Sequence, residues 1–438
     1  MQNAREIALL TLCEIEEEGA YSNMALKKHL AKNKHLSGVD KAFVTALVYG
    51  VTARKLTLDY MIQTYSKLRL KKISKYILQI LRIGIYQLTF MDRVPESAAV
   101  DESVKIAKRY GHKAAAGYVN GMLHAVIRGR ESFQYPDEPI ERLSVKYSYP
   151  RWLAEKWVKE FGYEFAQELM KAGNKEPSMT LRTNTLNASP DQLVELLESR
   201  NIRAKKSELY QMAIETGGFD VDASDLYKSG YFIPQDTAAM LAAEVLSPKP
   251  GETVLDLCAA PGGKSTHLAQ LMDNKGTVIA FDIHKHKLAL IEENAKRMGI
   301  SMIQTVCADS AQQKEQYQAD KVLADVPCSG LGIIRRKPDI RWNEEKELFS
   351  LQYAILQTAG ACVKPGGELV YSTCTIEPDE NEHVIKKFLK EHHDFKPVDI
   401  TACLPAPLQK ETAKKGYVTL YPNVDGTDGF FIAKMKKR

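Results

Sequence analysis

The stretch Thr253-Val254-Leu255-Asp256-Leu257-Cys258-Ala259-Ala260-Pro261-Gly262-Gly263-Lys264-Ser265 limits what this chain can fold into more than any other. Val254, Leu255 and Leu257 form a short apolar run with few charges, the pattern of a strand buried in a parallel sheet. Gly262 and Gly263 remove side chains where the backbone must turn sharply, and helix-forming residues follow from Lys264. Strand, glycine turn and helix start together make a cradle for a nucleotide-like ligand at the carboxyl edge of a sheet. Two other cradles fail on spacing. A Walker A loop would need glycine where Cys258 stands, and the dinucleotide fingerprint G-x-G-x-x-G is absent.

From about residue 236 the chain alternates strand and helix. Strands are expected at 253–258, 277–283, 302–307, 320–326 and 367–373, with helices at 264–273, 285–298 and 344–362. The runs 417–421 and 429–435 suit a terminal antiparallel hairpin. Such alternation specifies a mostly parallel sheet covered on both faces. The expectation over 236–438 is therefore an α/β, Rossmann-like domain of seven strands, the arrangement of Rossmann-like methyltransferases. Residues 1–130 read as helices throughout: Ala4, Ile7, Ala8, Leu12 and Ile15 recur at helical spacing, as do Ile77, Ile80, Leu81, Gly84, Ile85 and Leu88. An all-α domain is expected there, then a polar, Pro-containing linker over 131–144. A small α+β, RRM-like domain is expected over 145–235, with an alternating strand at Met179 to Asn184 and a helix started by Ser189-Pro190. Arg182 and Asn184 read equally well as RNA contacts or as the exposed polarity of a strand.

With 438 residues, 44% hydrophobic and 26% charged, the chain is long enough for several globular domains. Seven cysteines without a C-x-x-C pair argue for reduced thiols in the cytoplasm and against a disulfide scaffold or zinc site. No metal constellation is visible elsewhere. The apolar run from Tyr76 to Phe90 is broken by Gln79, Arg82 and Gln87, so no membrane role is expected. The net charge of +5 is unevenly placed, with 21 Lys+Arg against 14 Asp+Glu in residues 1–140. Arg54, Lys55, Lys67, Arg69, Lys71, Lys72 and Lys75 cluster there. Such a cluster is either a solvated helical face or a face that contacts phosphates, and charge alone does not separate the two.

Asp282 ends the second expected strand, where a carboxylate accepts both hydroxyls of a ribose. Asp309 closes the third, placed to accept from an adenine amine. Two cysteines follow polar or Pro-containing turns at the same edge, Cys328 in Asp325-Val326-Pro327-Cys328-Ser329-Gly330 and Cys374 in Tyr371-Ser372-Thr373-Cys374-Thr375. The other five, Cys13, Cys258, Cys307, Cys362 and Cys403, read as small buried hydrophobes. Two thiols beside a nucleotide-like cofactor suit methylation at carbon 5 of cytosine. That carbon is a poor nucleophile until a thiolate adds at carbon 6. Asp325 is placed to hydrogen-bond the pyrimidine edge. Spacing leaves open which cysteine attacks. The segment Arg335-Arg336-Lys337-Pro338-Asp339-Ile340-Arg341-Trp342 offers four cations and an aromatic beside the Pro-Cys loop, either an RNA grip or a surface loop.

Two resemblances sharpen this reading. Val94-Pro95, Glu102, Ala107-Lys108, Tyr110-Gly111 and Val119-Asn120-Gly121 with Leu123 resemble the RNA-binding domain of the NusB antitermination type, which favours phosphate contact by Arg69, Lys71 and Lys72. The runs from Asp256 to Lys264, from Asp325 to Gly330 and from Ser372 to Thr375, with Phe232 to Asp236, resemble the Nop2/Sun family of S-adenosylmethionine-dependent RNA cytosine-5 methyltransferases. The resemblance implies S-adenosylmethionine as cofactor, leaving as S-adenosylhomocysteine. It implies that Cys258, Ala259, Ala260, Pro261, Gly262, Gly263 and Lys264 line that cofactor, with Asp282, Asp309 and Asp325 as further contacts. Cys374 becomes the nucleophile and Cys328 the residue that assists release, with Asp325 beside them. The implied partner is 16S ribosomal RNA, naked or in an early 30S assembly intermediate, gripped also by Arg335, Arg336, Lys337 and Arg341, with the protein a monomer. Rival readings are a non-catalytic assembly or antitermination factor, the same chemistry on transfer or 23S RNA, and a methyltransferase for purine nitrogens. The two cysteines and Asp325 would be idle in the first, and a nucleophilic thiol would be idle in the last, whose sites typically carry an Asn/Asp-Pro-Pro-aromatic strand end.

Overall fold

The computed structural model describes residues 2–312, 317–343 and 348–438. The chain divides into two compact units. The first holds the chain up to Lys175 and a later segment beginning at Ile334. Its α-helices include Ala4–Glu18, Ser22–Lys32, Gly38–Ala53, Lys55–Tyr65, Lys75–Phe90, Glu96–Tyr110 and Lys113–Gly129. Local chemistry starts them. Asn3 accepts from the Glu6 amide while Glu6 accepts from the Asn3 amide, a reciprocal cap of the first helix. Ile77, Ile80, Leu81, Ile85 and Leu88 of Lys75–Phe90 join Ile7, Leu47, Val48 and Leu123 in one core. A Cβ on Gly84 would stand 2.8 Å from Leu123 Cδ2, so glycine lets the two helices approach. Arg82, buried in that core, donates to both Asp59 carboxylate oxygens (2.7 and 2.8 Å) and to Glu16 (2.8 Å). Among the described residues no helix is long and apolar enough to cross a membrane.

The expected linker over 131–144 holds the start of helix Pro139–Tyr147, and the polar residues there cap it. Glu138 accepts from the Ile140 and Glu141 amides, and Pro139 opens the first turn. This helix, with Arg151–Phe161 and Tyr163–Ala172, belongs to the first unit. Thr57 Oγ1 donates to the Val145 carbonyl at 2.6 Å, and Ser148 Oγ accepts from the Leu56 amide at 2.9 Å. The first compact unit thus runs on to Lys175, past the all-α domain expected over 1–130.

The second unit carries two sheets. The smaller comprises β1 (Met179–Thr183), β2 (Ala204–Lys206), β3 (Ala213–Thr216) and β4 (Phe232–Pro234), antiparallel in the order β2-β3-β1-β4. Ser189 and Gln192 form a capping box on helix Pro190–Glu198, whose Leu193 and Leu197 pack on Leu181, Ile214 and Phe232. The larger comprises β5 (Thr253–Asp256), β6 (Thr277–Asp282), β7 (Ile303–Cys307), β8 (Ala319–Asp325), β9 (Val363–Thr373), β10 (Phe395–Pro397), β11 (Tyr417–Leu420) and β12 (Phe430–Lys437). Its order is β10-β12-β9-β8-β5-β6-β7, with β11 also paired to β12. Strands β5 to β9 run parallel, and β12 lies antiparallel to β9, β10 and β11.

Eight strands stand where seven were expected. The extra one, β10, is three residues long and too short to show a two-residue period in the sequence. Successive residues of the central strands enter opposite cores: Val254, Leu323 and Val370 lie in one, and Leu255, Val322 and Leu369 in the other. Both faces are therefore covered, as the uninterrupted apolar runs require. Helices Gly263–Leu271, Lys285–Arg297 and Phe349–Cys362 contribute to that cover. The start expected for the last of these, at 344, lies outside the described residues.

Candidate active site

Parallel pairing sets Asp256 opposite Leu323 and Ala280, and Asp325 opposite Ser372. The strands are parallel, with β5 stopping two residues before β6 and β8, so the loops carrying Gly262-Gly263, Asp282, Asp309, Cys328 and Cys374 leave from one edge. Gly262 has φ +98° and caps helix Gly263–Leu271, and a Cβ there would stand 3.1 Å from Ile291 Cα. Gly263 differs. The nearest atom to a Cβ would be Gln235 Nε2 at 3.8 Å, so the bare glycine leaves open room against the helix start.

Four carboxylates act on Cys258. Burial first, then Asp256, Asp325, Asp282 and Asp309, push its thiol far up. Asp282 Oδ1 accepts from the His284 amide at 2.8 Å. Asp309 lies in a turn beyond β7, which stops at Cys307; it accepts from the Ala311 amide and Gln312 Nε2. Asp256 is fully buried, and burial raises its carboxyl to about 6. Ser265 Oγ donates to Asp256 Oδ2 at 2.6 Å, while Oδ1 has no protein partner. Cys258 itself is half-buried, and Cys307 is exposed, unlike the small buried residue expected.

The sulfurs of Cys328 and Cys374 stand 3.2 Å apart. Their loops are tied beside the thiols: Ser329 Oγ and Thr375 Oγ1 share a hydrogen bond of 2.8 Å, and the Ser329 amide donates to Glu380 Oε2 at 2.9 Å. Gly332 donates from its amide to the Cys374 carbonyl at 3.0 Å and accepts from Gly429 at 2.8 Å. A Cβ on Gly332 would stand 2.1 Å from the Gly429 oxygen, so only glycine fits this crossing. Cys328 is held firmly as a thiol, first by its contact with Cys374, then by burial and by Glu380 and Asp325. Asp325 accepts from Lys264 Nζ at 2.7 Å and from Ser372 Oγ at 2.8 Å. Burial works against the Lys264 charge, but Asp325 and then Cys374 outweigh it and raise its pKa. Glu380 and Asp325 thus act on Cys328, while the Lys264 ammonium and Cys374 act on each other.

The cations expected to meet RNA fall into three groups. Arg69, Lys71 and Lys72 are exposed at the 3-10 turn Leu70–Lys72, just before helix Lys75–Phe90. Lys337 is exposed, and Arg335 and Arg336 are half-buried. Arg341 is not a surface residue at all. It is 0% exposed, donates to the carbonyls of Ala53 (3.1 Å) and Ser148 (3.2 Å) and to Asn174 Oδ1 (2.9 Å), and lies 4.2 Å from the Tyr149 ring centroid. Its donors close helix ends inside the first unit, which corrects its expected place in an RNA grip. Trp342 Nε1 likewise donates to the Thr52 carbonyl. Arg182 and Asn184 are also fully buried. Arg182 donates to Gln270 Oε1 (2.8 Å), Thr266 Oγ1 (2.8 Å), Gln235 Oε1 and the Gly263 carbonyl (2.5 Å), so β1 braces the glycine turn.

Three residues went unassigned in the sequence reading. Asp256 opens the run from Asp256 to Lys264, yet a strand-end carboxylate carries no mark of its burial. Glu380 and Asn381 lie in the acidic run Pro378-Asp379-Glu380-Asn381-Glu382, which reads as a solvated loop, although both are buried.

Comparison with known proteins finds three family models in succession along the chain. The family model for 16S rRNA methyltransferase RsmB/F matches residues 243–436, that for the NusB family matches 2–128, and an RsmF/B-like ferredoxin-like domain matches 149–218. The probable ribosomal RNA small subunit methyltransferase B of Bacillus subtilis (strain 168) is 38% identical, covering 100% of this chain and 99% of the relative. Its counterpart from Synechocystis sp. (strain ATCC 27184 / PCC 6803 / Kazusa) is 36% identical over the full length of both. The crystal structure of PH0851 has a TM-score of 0.82 at 29% identity, covering 100% of this chain and 99% of that one.

Proposed function

Because the chain belongs to the RsmB/F family of 16S rRNA methyltransferases, we propose that it methylates carbon 5 of one cytosine in 16S ribosomal RNA, in the cytoplasm. The observation that carries this reading is the 3.2 Å approach of the Cys328 and Cys374 sulfurs beside the acidic strand edge.

The cofactor of the family, S-adenosylmethionine, fits this edge. The four carboxylates around Cys258 give a negative field suited to a sulfonium, and Asp256 Oδ1 is an unused acceptor within it. Asp282 accepts from ribose hydroxyls, Asp309 from the adenine amine, and Gly263 leaves room at the helix start. When bound, the cofactor supplies an electrophilic methyl group.

The chain's own residues then divide the work. Lys264 favours Cys374 as thiolate, so Cys374 is the sulfur that adds to carbon 6 of the base. Asp325, oriented by Lys264 and Ser372, hydrogen-bonds the pyrimidine edge and stabilises its protonated, electron-poor form, which the thiolate attacks. Cys328 stays protonated while Cys374 is free, because Cys374 is the largest cause of its raised pKa. Once Cys374 is bound to carbon, that cause disappears. Cys328 is then able to give its proton to solvent and, as thiolate, take the one on carbon 5, which re-forms the ring double bond and expels Cys374 as its thiolate. Exposed Arg69, Lys71 and Lys72 sit at the positive end of a helix dipole, an arrangement unfavourable unless phosphates meet it.

The test is a pair of variants. Cys374→Ala abolishes methyl transfer and any covalent RNA adduct. Cys328→Ala accumulates a denaturant-resistant protein–RNA complex. Undiminished methylation by Cys374→Ala would remove the nucleophile from this reading.

A further inference from the structure

The mechanism needs two sulfurs, on separate loops, to stay within reach of one pyrimidine. The residues beside the two cysteines are held by hydrogen bonds, and their partners converge on two consecutive residues outside the family's cysteine motifs. Asn381 Nδ2 donates to the Thr375 carbonyl at 3.1 Å, and Asn381 Oδ1 accepts from Thr373 Oγ1 at 2.6 Å, so one amide grips both neighbours of Cys374. Glu380 Oε2 accepts from the amide of Ser329, the neighbour of Cys328, at 2.9 Å. It also accepts from Gln352 Nε2 at 2.7 Å, and that same nitrogen donates to the Pro327 carbonyl at 3.0 Å, on the other side of Cys328. The Glu380 backbone is fixed in turn, since Tyr371 Oη donates to its carbonyl at 2.6 Å.

Glu380 and Asn381 are only 4% and 1% exposed, so burial stiffens these contacts and makes losing one costly. Among the described residues, the groups that donate to Glu380 Oε2, the Ser329 amide and Gln352 Nε2, carry no charge, and Oε1 has no partner. A carboxylate in that setting costs desolvation free energy that a neutral glutamine would avoid, so stability alone does not ask for it. What glutamate adds is negative charge next to Cys328, on which it acts directly together with Asp325.

We infer that Glu380 and Asn381 are positioning residues for this reaction: Asn381 fixes Cys374, and Glu380 fixes Cys328 and sets a negative charge beside it. This rests on the assignment of the two cysteines above. The charge and the geometry act separately, so they are tested separately.

For charge, the pH dependence of Cys328 alkylation by iodoacetamide is read by peptide mass spectrometry in a Cys374→Ser background. Glu380→Gln keeps the shape and an acceptor for Ser329 while removing the charge. It shifts the alkylation midpoint of Cys328 downward by about 1 pH unit, the scale expected from one nearby like charge. A midpoint that stays in place or rises overturns the role of Glu380. For spacing, the intact pair is oxidised with diamide, which takes both thiol hydrogens, becomes the hydrazine and leaves a Cys328–Cys374 disulfide. Asn381→Ala slows that closure roughly tenfold or more, as a displacement near 1 Å should. A rate equal to that of the unaltered protein overturns the role of Asn381. Thr373→Val removes only one of the Asn381 contacts and serves if Asn381→Ala does not fold. Neither readout needs methyl transfer, so a failure here is distinguishable from a failure of the proposed activity.

Discussion

Replacing Asp256 by asparagine should make the second unit more stable and its cofactor site weaker. Burial raises the Asp256 carboxyl from 3.8 to about 6, roughly 2 pH units. At about 1.4 kcal/mol per unit this is a cost of about 3 kcal/mol to hold it ionised in the folded state. The residue is fully buried, so solvent does not screen the effect. Below pH 3.8 the group is protonated folded and unfolded, and costs nothing. As pH rises from 3.8 to about 6, the unfolded chain ionises first, the folded state holds the extra proton, and stability falls. Above about 6 the full cost is present.

Asparagine never ionises and still offers an oxygen to Ser265 Oγ. Asp256→Asn is therefore neutral near pH 4 and stabilising by up to about 3 kcal/mol at pH 7.5, a rise of several degrees in Tm. It weakens S-adenosylmethionine binding at the same pH, because one of four carboxylates facing a cation is gone. The three tryptophans, Trp152, Trp157 and Trp342, all lie in the first unit, so their fluorescence is blind to this change. Urea unfolding of the second unit is best followed by circular dichroism at pH 4.5 and 7.5, with cofactor binding measured by calorimetry. A stability difference independent of pH, or a less stable variant at pH 7.5, would refute the assignment of a strained, ionised Asp256.

The other expectations concern cations. Neutralising Arg69, Lys71 and Lys72 together to glutamine should flatten the slope of log affinity for RNA against log salt by roughly 2–3 units, read by filter binding; an unchanged slope returns the cluster to solvent. Arg341→Met should leave that slope alone and instead destabilise the first unit by about 3 kcal/mol, since several buried acceptors lose their donor. Tryptophan fluorescence during urea unfolding checks it, and a flattened salt slope with unaltered stability would restore Arg341 to RNA contact. Lys264→Met should cost about 3 kcal/mol by stranding Asp325. It should also move alkylation of Cys374 to higher pH, and an unmoved profile would detach Lys264 from the thiolate.

Much of this protein is written locally. The uninterrupted runs of β5 and β8, the glycine turn after Asp256 and the turns before Cys328 and Cys374 depend on the spacing of neighbouring residues. So the sequence by itself set the strand ends, the edge they share and the residues that emerge there. The composition of 131–144 misled for the same reason, since proline and acidic residues serve equally to loosen a linker and to cap a helix.

Only the tertiary structure decided what surrounds each emerging group. Arg341 and Lys337 look alike in sequence, yet one is sealed among carbonyls and the other is in water. Asp256 and Asp282 both end strands, but only the first is sealed from water. The 3.2 Å between two sulfurs, and the hold of Glu380 and Asn381 on their loops, come from contacts between residues far apart in the chain. Periodicity runs along the backbone, whereas distance and solvent exclusion arise across it, and the chemistry depends on the latter.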